Sequence, residues 1–511
     1  MAFDMETIQL VRGRWIFTGT ETLSDGAIAI QGDTIQAVGQ WQTLRHQYPQ
    51  APVIGSAATA VMPGLINAHH HSNGVTNALQ GVDDDFLELW LFGNLALRPQ
   101  TARLRTLLSA AALLRSGVTT VLDVATVSDS VDIANASLND RLHTYEQAGI
   151  RAVLAPGAIY KSFLVHGDGE DKRFLNTLPS NLAQQMGDRT TLSQSLSPAD
   201  YLALMTDWIK TYQDHPRIDV WFGPPGPQWV DDKLMVAIAD AAEQLNTGIQ
   251  THVNESFYEK LVGPRYYGKS TVTHLKDLGV LSPRFSMAHG VWVTPEDIEI
   301  LASTGASVSH NPSSNLRLRA GIAPLNSLLK AGATVGLGMD GTAIGDDEDM
   351  FAEIRLAARL QRSPQLGGPA PSLQNVFTVA TQGSAKLVMK DQILGKIAPG
   401  YRADLVLLNC DRITWPWIAP EADPLQVVLT RAKAADVDTV LVNGQIVLKQ
   451  GQPTQFDLQA VGAEAAAALD QAGDRSEQRA LVEAIKPYLA QWYSTWEVPT
   501  LEPYTAFNSK Q

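Results

Sequence analysis

The stretch Pro63-Gly64-Leu65-Ile66-Asn67-Ala68-His69-His70-His71-Ser72 carries a short apolar strand out of a Pro-Gly turn and ends it on histidines. Successive side chains of a strand point to opposite sides, so His69 and His71 share one side and His70 takes the other. Two imidazoles on one face of a strand end supply half of a divalent-metal site. Histidine pairs also occur on ordinary surfaces, so other strand ends must supply the remaining ligands.

Composition limits the classes of function. The chain has 511 residues, 45% of them hydrophobic, which suggests about two to four domains. A net charge of -14 argues against nucleic acid or an anionic membrane as the main partner. Cys410 is the single cysteine, which excludes an intrachain disulfide and fits a reducing cytoplasm. We recognise no signal peptide and no apolar run of about 18 residues, so we expect a cytoplasmic protein.

From residue 61 onward, strand and helix patterns alternate. Eight apolar strand patterns are separated by segments of helical spacing, at residues 60–71, 117–124, 151–156, 218–223, 248–252, 285–289, 306–310 and 334–340. Such alternation predicts the α/β class and a closed (β/α)8 TIM barrel over residues 61–391. The active groups of such a barrel lie at the carboxyl ends of its strands, where His252, His289 and Asp340 fall.

Strand patterns also flank the predicted barrel on both sides. Residues 7–60 alternate with period two between Gly and Asp turns, which predicts a small antiparallel sheet. Strand patterns resume at 395–400 and 403–408, and Asn443-Gly444 indicates a hairpin. We therefore predict a discontinuous β-sandwich domain from residues 1–60 and 392–455, followed by a helical extension and tail over 456–511.

The strand ends supply a complete set of metal ligands. Three neutral imidazoles and one carboxylate bind one Zn2+ or Fe2+ and leave a position open for water; here they are His69, His71, His252 and Asp340. The metal lowers the pKa of that water, so hydroxide exists near neutral pH. Glu255, three residues after His252, suits the transfer of its proton. His289 can orient the hydroxide, and Asp340 can act as a second base.

These residues resemble the amidohydrolase superfamily, in particular its aminohydrolase and chlorohydrolase branch of cytosine, guanine and adenosine-type deaminases and s-triazine hydrolases. Residues 63–71 are similar to the first-strand signature of that branch, and His252-Val253-Asn254-Glu255 is similar to its His-x-x-Glu motif. Residues 309–315, 339–341 and 395–408 match later signatures, so the resemblance covers nearly the whole chain. It implies one metal ion, Zn2+ most often and Fe2+ in some members, and a homodimer.

The chain departs from this family after the fourth strand. Many deaminases place a histidine there, in a Pro-His-Ala-Pro setting, whereas this chain has Gly223-Pro224-Pro225-Gly226-Pro227. The departure concerns the substrate more than the reaction. The loop 79–90 is similar to the substrate-gating region of the branch, and the polar insertion at 160–190 predicts a lid. The predicted substrate contacts are His310, Gln80, Trp90, Gln228 and Asn315, although a structural hydrogen bond explains His310 equally well.

Three functions remain open. The leading one is a hydrolase of the deaminase type, in which a metal-bound hydroxide attacks a ring carbon of a purine, pyrimidine, pterin or s-triazine and displaces an amino, alkylamino or halide group. The second is hydrolysis of an amide or cyclic imide C–N bond at the same metal site. The third is a non-catalytic scaffold, which an intact set of ligands disfavours. We expect a small-molecule substrate and neither a nucleic-acid nor a membrane partner.

Overall fold

A computed structural model describes residues 7–127, 130–187, 196–341 and 343–505. Three predicted features extend outside these ranges: the amino terminus (residues 1–6), where no signal peptide is expected, the end of the predicted lid (188–190) and the end of the predicted tail (506–511). The strands are β1 Ile8–Phe17, β2 Thr22–Gln31, β3 Thr34–Gln40, β4 Val53–Pro63, β5 Leu65–His70, β6 Val118–Thr126, β7 Arg151–Gly157, β8 Ile218–Val220, β9 Ile249–Val253, β10 Phe285–His289, β11 Ser307–His310, β12 Thr334–Leu337, β13 Leu405–Asn409, β14 Val437–Val442, β15 Gln445–Lys449 and β16 Gln452–Pro453.

Helices separate most of these strands. They are α1 Trp41–Gln47, α2 Leu87–Gly93, α3 Ala102–Arg115, α4 Val131–Ala148, α5 Glu170–Leu175, α6 Ser180–Gly187, α7 Pro198–Tyr212, α8 Asp232–Gln244, α9 Phe257–Val262, α10 Thr271–Asp277, α11 Pro295–Thr304, α12 Pro312–Arg317, α13 Leu325–Lys330, α14 Met350–Leu360, α15 Leu373–Thr378, α16 Ser384–Leu387, α17 Cys410–Thr414, α18 Pro424–Arg431, α19 Leu458–Gln471 and α20 Ser476–Ser494. Among the described helices, none combines the length and apolarity needed to cross a membrane.

The central strands form two four-stranded parallel sheets, in the orders β5-β6-β7-β8 and β12-β11-β10-β9. Single parallel bridges link the two sheets at their edges, His70 with Asp340 and Phe222 with Ile249. β6 is buried along nearly its whole length, as expected for a parallel strand covered on both faces. This is the α/β arrangement that the sequence predicts, and it gathers the carboxyl ends of the strands on one side.

The fourth predicted strand is shorter than expected. It ends at Val220 rather than Gly223, and the chain then continues through Pro224 and Pro225 without regular pairing. Proline has no backbone N–H and cannot donate to a neighbouring strand. The carbonyl groups of this loop are therefore not paired in a sheet and can accept hydrogen bonds from side chains of the site.

Strands from both ends of the chain share one eight-stranded sheet, in the order β16-β15-β14-β13-β4-β1-β2-β3. The hairpin at Asn443-Gly444 is confirmed, and both residues adopt the left-handed backbone that such a two-residue turn requires (φ 49° and 73°). The predicted antiparallel pairing is confirmed for β1, β2 and β3, but β4 returns through α1 and pairs parallel with β1. The sheet is therefore mixed.

The predicted strand at 395–400 is also wrong. This segment forms turns, with left-handed Gly395 and Gly400 (φ 88° and 86°) at its two ends. Two such residues interrupt an extended chain. The Ile397 N–H still donates to the carbonyl oxygen of Thr18 at 3.0 Å, which ties the segment to the terminal sheet.

A second hydrophobic cluster lies apart from the main core, and we call it the roof. It draws side chains from α2, from the 162–187 part of the insertion, from α9 and from α20 with the residues just after it. Its buried members are Phe92, Leu164, Val165, Phe174, Leu178, Met186, Leu261, Val262, Leu481, Val482, Ile485, Leu489, Tyr493 and Trp496. The predicted lid segment thus packs against the C-terminal helix.

Candidate active site

Four side chains at the carboxyl ends of the parallel strands converge on one point. The ligand atoms of His69, His71 and His252 all lie within 4.8 Å of one another. Asp340 Oδ1 lies 3.1 Å from His71 Nε2 and 3.5 Å from His69 Nε2. The structure therefore brings together all four residues that the sequence predicts as metal ligands.

Each imidazole of the site is held through its Nδ1 atom. The acceptors are side-chain amide or backbone carbonyl oxygens: Gln250 Oε1 for His69 at 2.9 Å, the Val124 oxygen for His71 at 3.0 Å, the Pro225 oxygen for His252 at 2.6 Å and Asn315 Oδ1 for His289 at 2.9 Å. These oxygens carry no proton, so each Nδ1 donates and each Nε2 of a neutral ring keeps a lone pair.

The residues present fit a divalent cation. The Nε2 atoms of His71 and His252 lie 3.1 Å apart, and two lone pairs at that distance repel unless a cation lies near both. Among the described residues, the buried Nε2 atoms of His69 and His289 have no hydrogen-bond partner. Burial and then the neighbouring imidazoles lower the pKa of His252 well below its usual range, which keeps that ring neutral. Neutral imidazoles beside a carboxylate are ligands typical of Zn2+ and Fe2+.

Asp340 remains ionised in this setting. Burial alone would raise its pKa, but contacts with His71 and His69 lower the pKa well below its usual range. The Ser314 hydroxyl also donates to Asp340 Oδ2 at 2.6 Å. Asp340 and His289 both have left-handed backbones (φ 57° and 73°). This conformation costs free energy in residues other than glycine, and such strained residues cluster at functional sites.

Glu255 and His289 lie beside the convergence point. Glu255 Oε2 lies 3.4 Å from His289 Nε2, and Glu255 Oε1 is buried without a hydrogen-bond partner. Burial, then Glu259 and Asp340, raise the pKa of Glu255 well above its usual range. Burial lowers the pKa of His289 to about 3, so this ring is neutral. A carboxyl that binds a proton readily therefore faces a neutral imidazole, an arrangement suited to proton transfer.

Two residues that support the site, Gln250 and Ser314, are not identified by the sequence analysis. Gln250 accepts from His69 and also donates to the Ala68 carbonyl at 2.9 Å, so it fixes both the ring and its strand. Its position, two residues before His252 on the same strand, is the period-two signal that points it to the same side. Ser314 lies within the 309–315 motif, but nothing in the motif indicates Asp340 as its partner.

His70 turns away from the metal ligands, as the alternation of strand side chains predicts. Its Nε2 lies 3.3 Å from Glu348 Oε1, and its Nδ1 accepts from the Ser72 N–H at 2.9 Å. The ring is fully buried. His70 therefore anchors the strand from behind.

Gln80 does not act as predicted. Its Nε2 donates to the Val75 carbonyl at 3.0 Å, and its Oε1 accepts from the Arg98 N–H at 2.9 Å. Both ends of the amide are thus bonded to backbone of the 75–98 loop. We correct the prediction of a substrate contact, because the loop itself needs this side chain.

Two other predicted substrate contacts lie behind the predicted catalytic residues His289 and Glu255. Asn315 accepts from His289 Nδ1. Gln228 donates to Glu259 Oε1 at 2.8 Å, and Glu259 Oε2 accepts from the Glu255 N–H at 2.7 Å. Both residues therefore position the Glu255–His289 pair, and their contact with a substrate stays a prediction.

Trp90 and His310 keep free polar atoms. Trp90 Nε1 and both ring nitrogens of His310 are buried without hydrogen-bond partners. Burial lowers the pKa of His310 to about 4. Within the part of the chain that the structure describes, no group bonds to the His310 ring, so the structural hydrogen bond considered from the sequence is not seen there. Its contact with a substrate stays a prediction.

Comparisons with known proteins agree with this geometry. Residues 60–447 match the amidohydrolase family. A 5-methylthioadenosine/S-adenosylhomocysteine deaminase from Thermococcus kodakarensis is 33% identical over 78% of this chain and 84% of its own. A 5'-deoxyadenosine deaminase from Methanothermobacter thermautotrophicus is 33% identical over 78% of this chain and 84% of its own.

Solved structures give the same answer at the level of the fold. An adenosine deaminase from Xanthomonas campestris with bound zinc is 25% identical, with a TM-score of 0.76 over 91% of this chain and 99% of its own. A triazine hydrolase from Arthrobacter aurescens is 24% identical, with a TM-score of 0.79 over 91% of this chain and 100% of its own. The chain therefore belongs to the amidohydrolase family, in its aminohydrolase and chlorohydrolase branch, and is a metal-dependent hydrolase of non-peptide C–N bonds.

Proposed function

We propose that this enzyme is a zinc-dependent hydrolytic deaminase that removes the exocyclic amino group of an adenine-type ring. The observation that carries the proposal is Glu255, a buried carboxyl of raised pKa, 3.4 Å from a neutral His289 and beside the convergent ligands. The deaminases of adenine nucleosides named above, each 33% identical, support this ring over triazines. The triazine hydrolase shares the fold at lower identity.

We infer that the two linked parallel sheets act as one closed (β/α)8 barrel over residues 61–391. The terminal sheet, from residues 1–60 and 392–455, would form a separate β-sandwich domain. In support, inward side chains from both halves of that sheet share a single core, which includes Val11, Ile28, Leu405 and Leu441. In such a barrel every proposed metal ligand lies at the carboxyl ends of the strands, the edge that we call the rim.

Hydrolytic deamination adds water to a ring carbon and releases ammonia, so protons must move to the ring and to the leaving group. A divalent ion, when bound by His69, His71, His252 and Asp340, activates water for this attack. Glu255 takes a proton from the attacking side and returns it to the ring nitrogen. Neutral His289 accepts a hydrogen bond from the attacking water through Nε2 and so orients it toward the ring carbon. Asp340 Oδ2, which accepts from Ser314, takes the second proton of the added water and passes it to the amino group, which then leaves as ammonia.

Opening of an amide or cyclic imide ring remains the competing chemistry. Residues 26–51 match an imidazolonepropionase-like composite domain. These residues belong to β2, β3 and α1 and include none of the site residues. The match therefore concerns the terminal sheet and does not favour ring opening.

The test is a substrate panel on the purified, zinc-loaded protein. We expect ammonia release from adenosine, 5'-deoxyadenosine or 5-methylthioadenosine, with one zinc ion per chain. If only triazines react, with release of chloride or an amine, the substrate class is a triazine and not an adenine-type ring. Opening of cyclic imides without ammonia release would overturn the proposal.

We further infer a homodimer that acts in a reducing cytoplasm. The single cysteine, Cys410, is buried, which is consistent with a protein that uses no disulfide. Light scattering of the purified chain tests the oligomeric state, and a monomeric mass would contradict the inference.

A further inference from the structure

The backbone turns sharply just before Glu255. Asn254 adopts a left-handed conformation (φ 53°), and its carbonyl oxygen accepts from the N–H groups of Val291 at 3.0 Å and Trp292 at 3.1 Å. Such a conformation costs free energy in a residue other than glycine and persists only where the surrounding structure holds it. The position of the Glu255 carboxyl therefore depends on contacts on both sides of this turn.

Ser256 fixes the chain on the other side of Glu255. It is the N-cap residue of α9, and its hydroxyl oxygen accepts from the Glu259 N–H at 3.1 Å. The same hydroxyl donates to Glu88 Oε1. Since a serine hydroxyl has one proton to donate, Glu88 fixes the direction of that proton and leaves the lone pairs for the cap. Glu88 and Ser256 are 5% and 3% exposed, so water has little access to either contact.

The first turn of α9 leads back to Glu255. Glu259 Oε2 accepts from the Glu255 N–H at 2.7 Å. The Ser256 hydroxyl thus holds this turn, and the turn holds Glu255 through its backbone. At the other end of the side chain, Glu255 Oε2 lies 3.4 Å from His289 Nε2. Proton transfer requires hydrogen-bond reach, so a shift of this turn would impair the transfer.

Glu88 is itself held by the roof. It lies on α2, which packs on α20. His166 Nε2 lies 3.2 Å from the same Glu88 oxygen that Ser256 binds. The backbone N–H of His166 donates to the Tyr493 hydroxyl of α20 at 3.1 Å. Three distant segments of the chain therefore fix the carboxylate that binds Ser256.

We propose that Glu88 is a positioning residue, which holds the Ser256 hydroxyl and so keeps the Glu255 carboxyl in place. This inference rests on the proposed function, in which Glu255 transfers a proton. Glu88 does not touch the reacting atoms in this role. Its removal should therefore lower kcat and leave the binding of substrate and zinc unchanged.

The test measures kcat, KM and zinc content with the best adenine substrate of the panel. Ser256→Ala removes the hydroxyl alone, Glu88→Ala removes its carboxylate partner, and a double variant combines them. Ser256→Thr keeps a hydroxyl. Ser270→Ala is the matched control, because Ser270 caps α10 in the same way, accepting from the Thr273 N–H and donating to the Asp297 carboxylate.

We expect kcat to fall by about 10- to 100-fold in S256A and in E88A, the scale on which a misplaced group costs rate, with KM and zinc content unchanged. The double variant should lose no more than the slower single variant, because contacts in one series are not additive. S256T should recover most of kcat, and S270A should keep all of it.

Three outcomes would overturn the proposal: unchanged kcat in S256A, an equal loss in S270A, or losses that multiply in the double variant. If E88A does not fold, S256A and S256T decide by the same criteria, because they change only the partner of Glu88.

Hydrogen exchange separates failure of this inference from failure of the proposed function, because it needs no substrate. Peptides that cover residues 253–262 should exchange faster in E88A and S256A than in wild type and S270A. Equal exchange in all four proteins overturns the role of Glu88. If exchange differs as expected but no adenine compound releases ammonia, the proposed function fails and the hold of Glu88 on this turn is supported.

Discussion

The rim of strand ends and the roof hold their polar side chains in different ways. At the rim, each of the imidazoles His69, His71, His252 and His289 is fixed through Nδ1 by an oxygen of the protein. In the roof, Glu88 is held by His166 and Ser256, and its second oxygen has no partner. The rim is preorganised by parallel strands, whereas the roof depends on contacts between distant segments. Changes at the rim should therefore abolish the reaction.

The largest effect should come from Asp340. We expect Asp340→Ala to lose the metal ion and all measurable turnover, because the imidazoles are left without the charge that balances a divalent cation. Metal analysis and ammonia release on the same sample check this. Asp411→Ala, at an exposed aspartate of α17, should leave both unchanged. Full metal occupancy in D340A would remove Asp340 from the ligand set.

Glu255 and Glu259 provide a sharper comparison between two buried carboxyls. Glu255→Gln should lower kcat by about 10^3-fold while zinc stays bound, since general acid–base groups contribute on this scale. Glu259→Gln should cost less, because Glu259 bonds the Glu255 N–H and the Gln228 amide rather than the reacting groups. Steady-state kinetics with metal analysis distinguish the two. If E259Q loses as much kcat as E255Q, then the roles assigned to the pair are wrong.

Gln250 tests whether the rim needs its hydrogen bonds. Gln250→Ala frees His69 Nδ1 and should weaken zinc affinity by about 10- to 100-fold, the usual cost of losing an outer partner of a metal-binding histidine. Competition with a fluorescent chelator measures this affinity. Gln392→Ala, at an exposed glutamine, is the control. Unchanged affinity in Q250A would show that the strand alone fixes the ring.

Glu353 should affect the free energy of unfolding rather than catalysis. It supports Ser313, next to the Ser314 that bonds Asp340. Burial raises the pKa of Glu353 to about 8, so the folded protein keeps a proton that the unfolded chain loses. This stability is fully present below the unfolded pKa and is lost as pH rises through the folded value.

We therefore expect the free energy of unfolding to fall between about pH 5 and about pH 8, by at most about 5 kcal/mol from this group. Glu353→Gln should flatten that dependence, measured by urea unfolding at several pH values. Glu299→Gln, at an exposed glutamate of α11, should keep the wild-type slope. The same slope in E353Q would assign the titration to another group.

The rim was largely predictable from the sequence, and the roof was not. His69, His71, His252 and Asp340 could be found because each ends an apolar strand, and parallel strands bring their ends together whatever lies between them. The roof contacts of His166 with Glu88 and Tyr493 follow no periodic pattern. They arise from the packing of three loops and helices, which a single sequence does not specify.

The errors have similar local causes. Gln80 was assigned to the substrate because of its position in the loop, but nearby carbonyl and N–H groups bind its amide. The segment 395–400 has apolar residues at Ile397 and Ala398, yet its terminal glycines adopt left-handed backbones. In both cases backbone geometry, which side-chain pattern does not report, decided the outcome.

The place of β13 in the terminal sheet has a consequence for biosynthesis. β4 is bonded on one side to β1 and on the other to β13, Leu405–Asn409. A nascent chain must therefore carry β4 with one open edge until the ribosome has reached Leu405 of the 511 residues. An unpaired edge invites association with other strands. Messenger truncations that stop translation before Leu405 should yield insoluble fragments, even though every proposed metal ligand has already been synthesised.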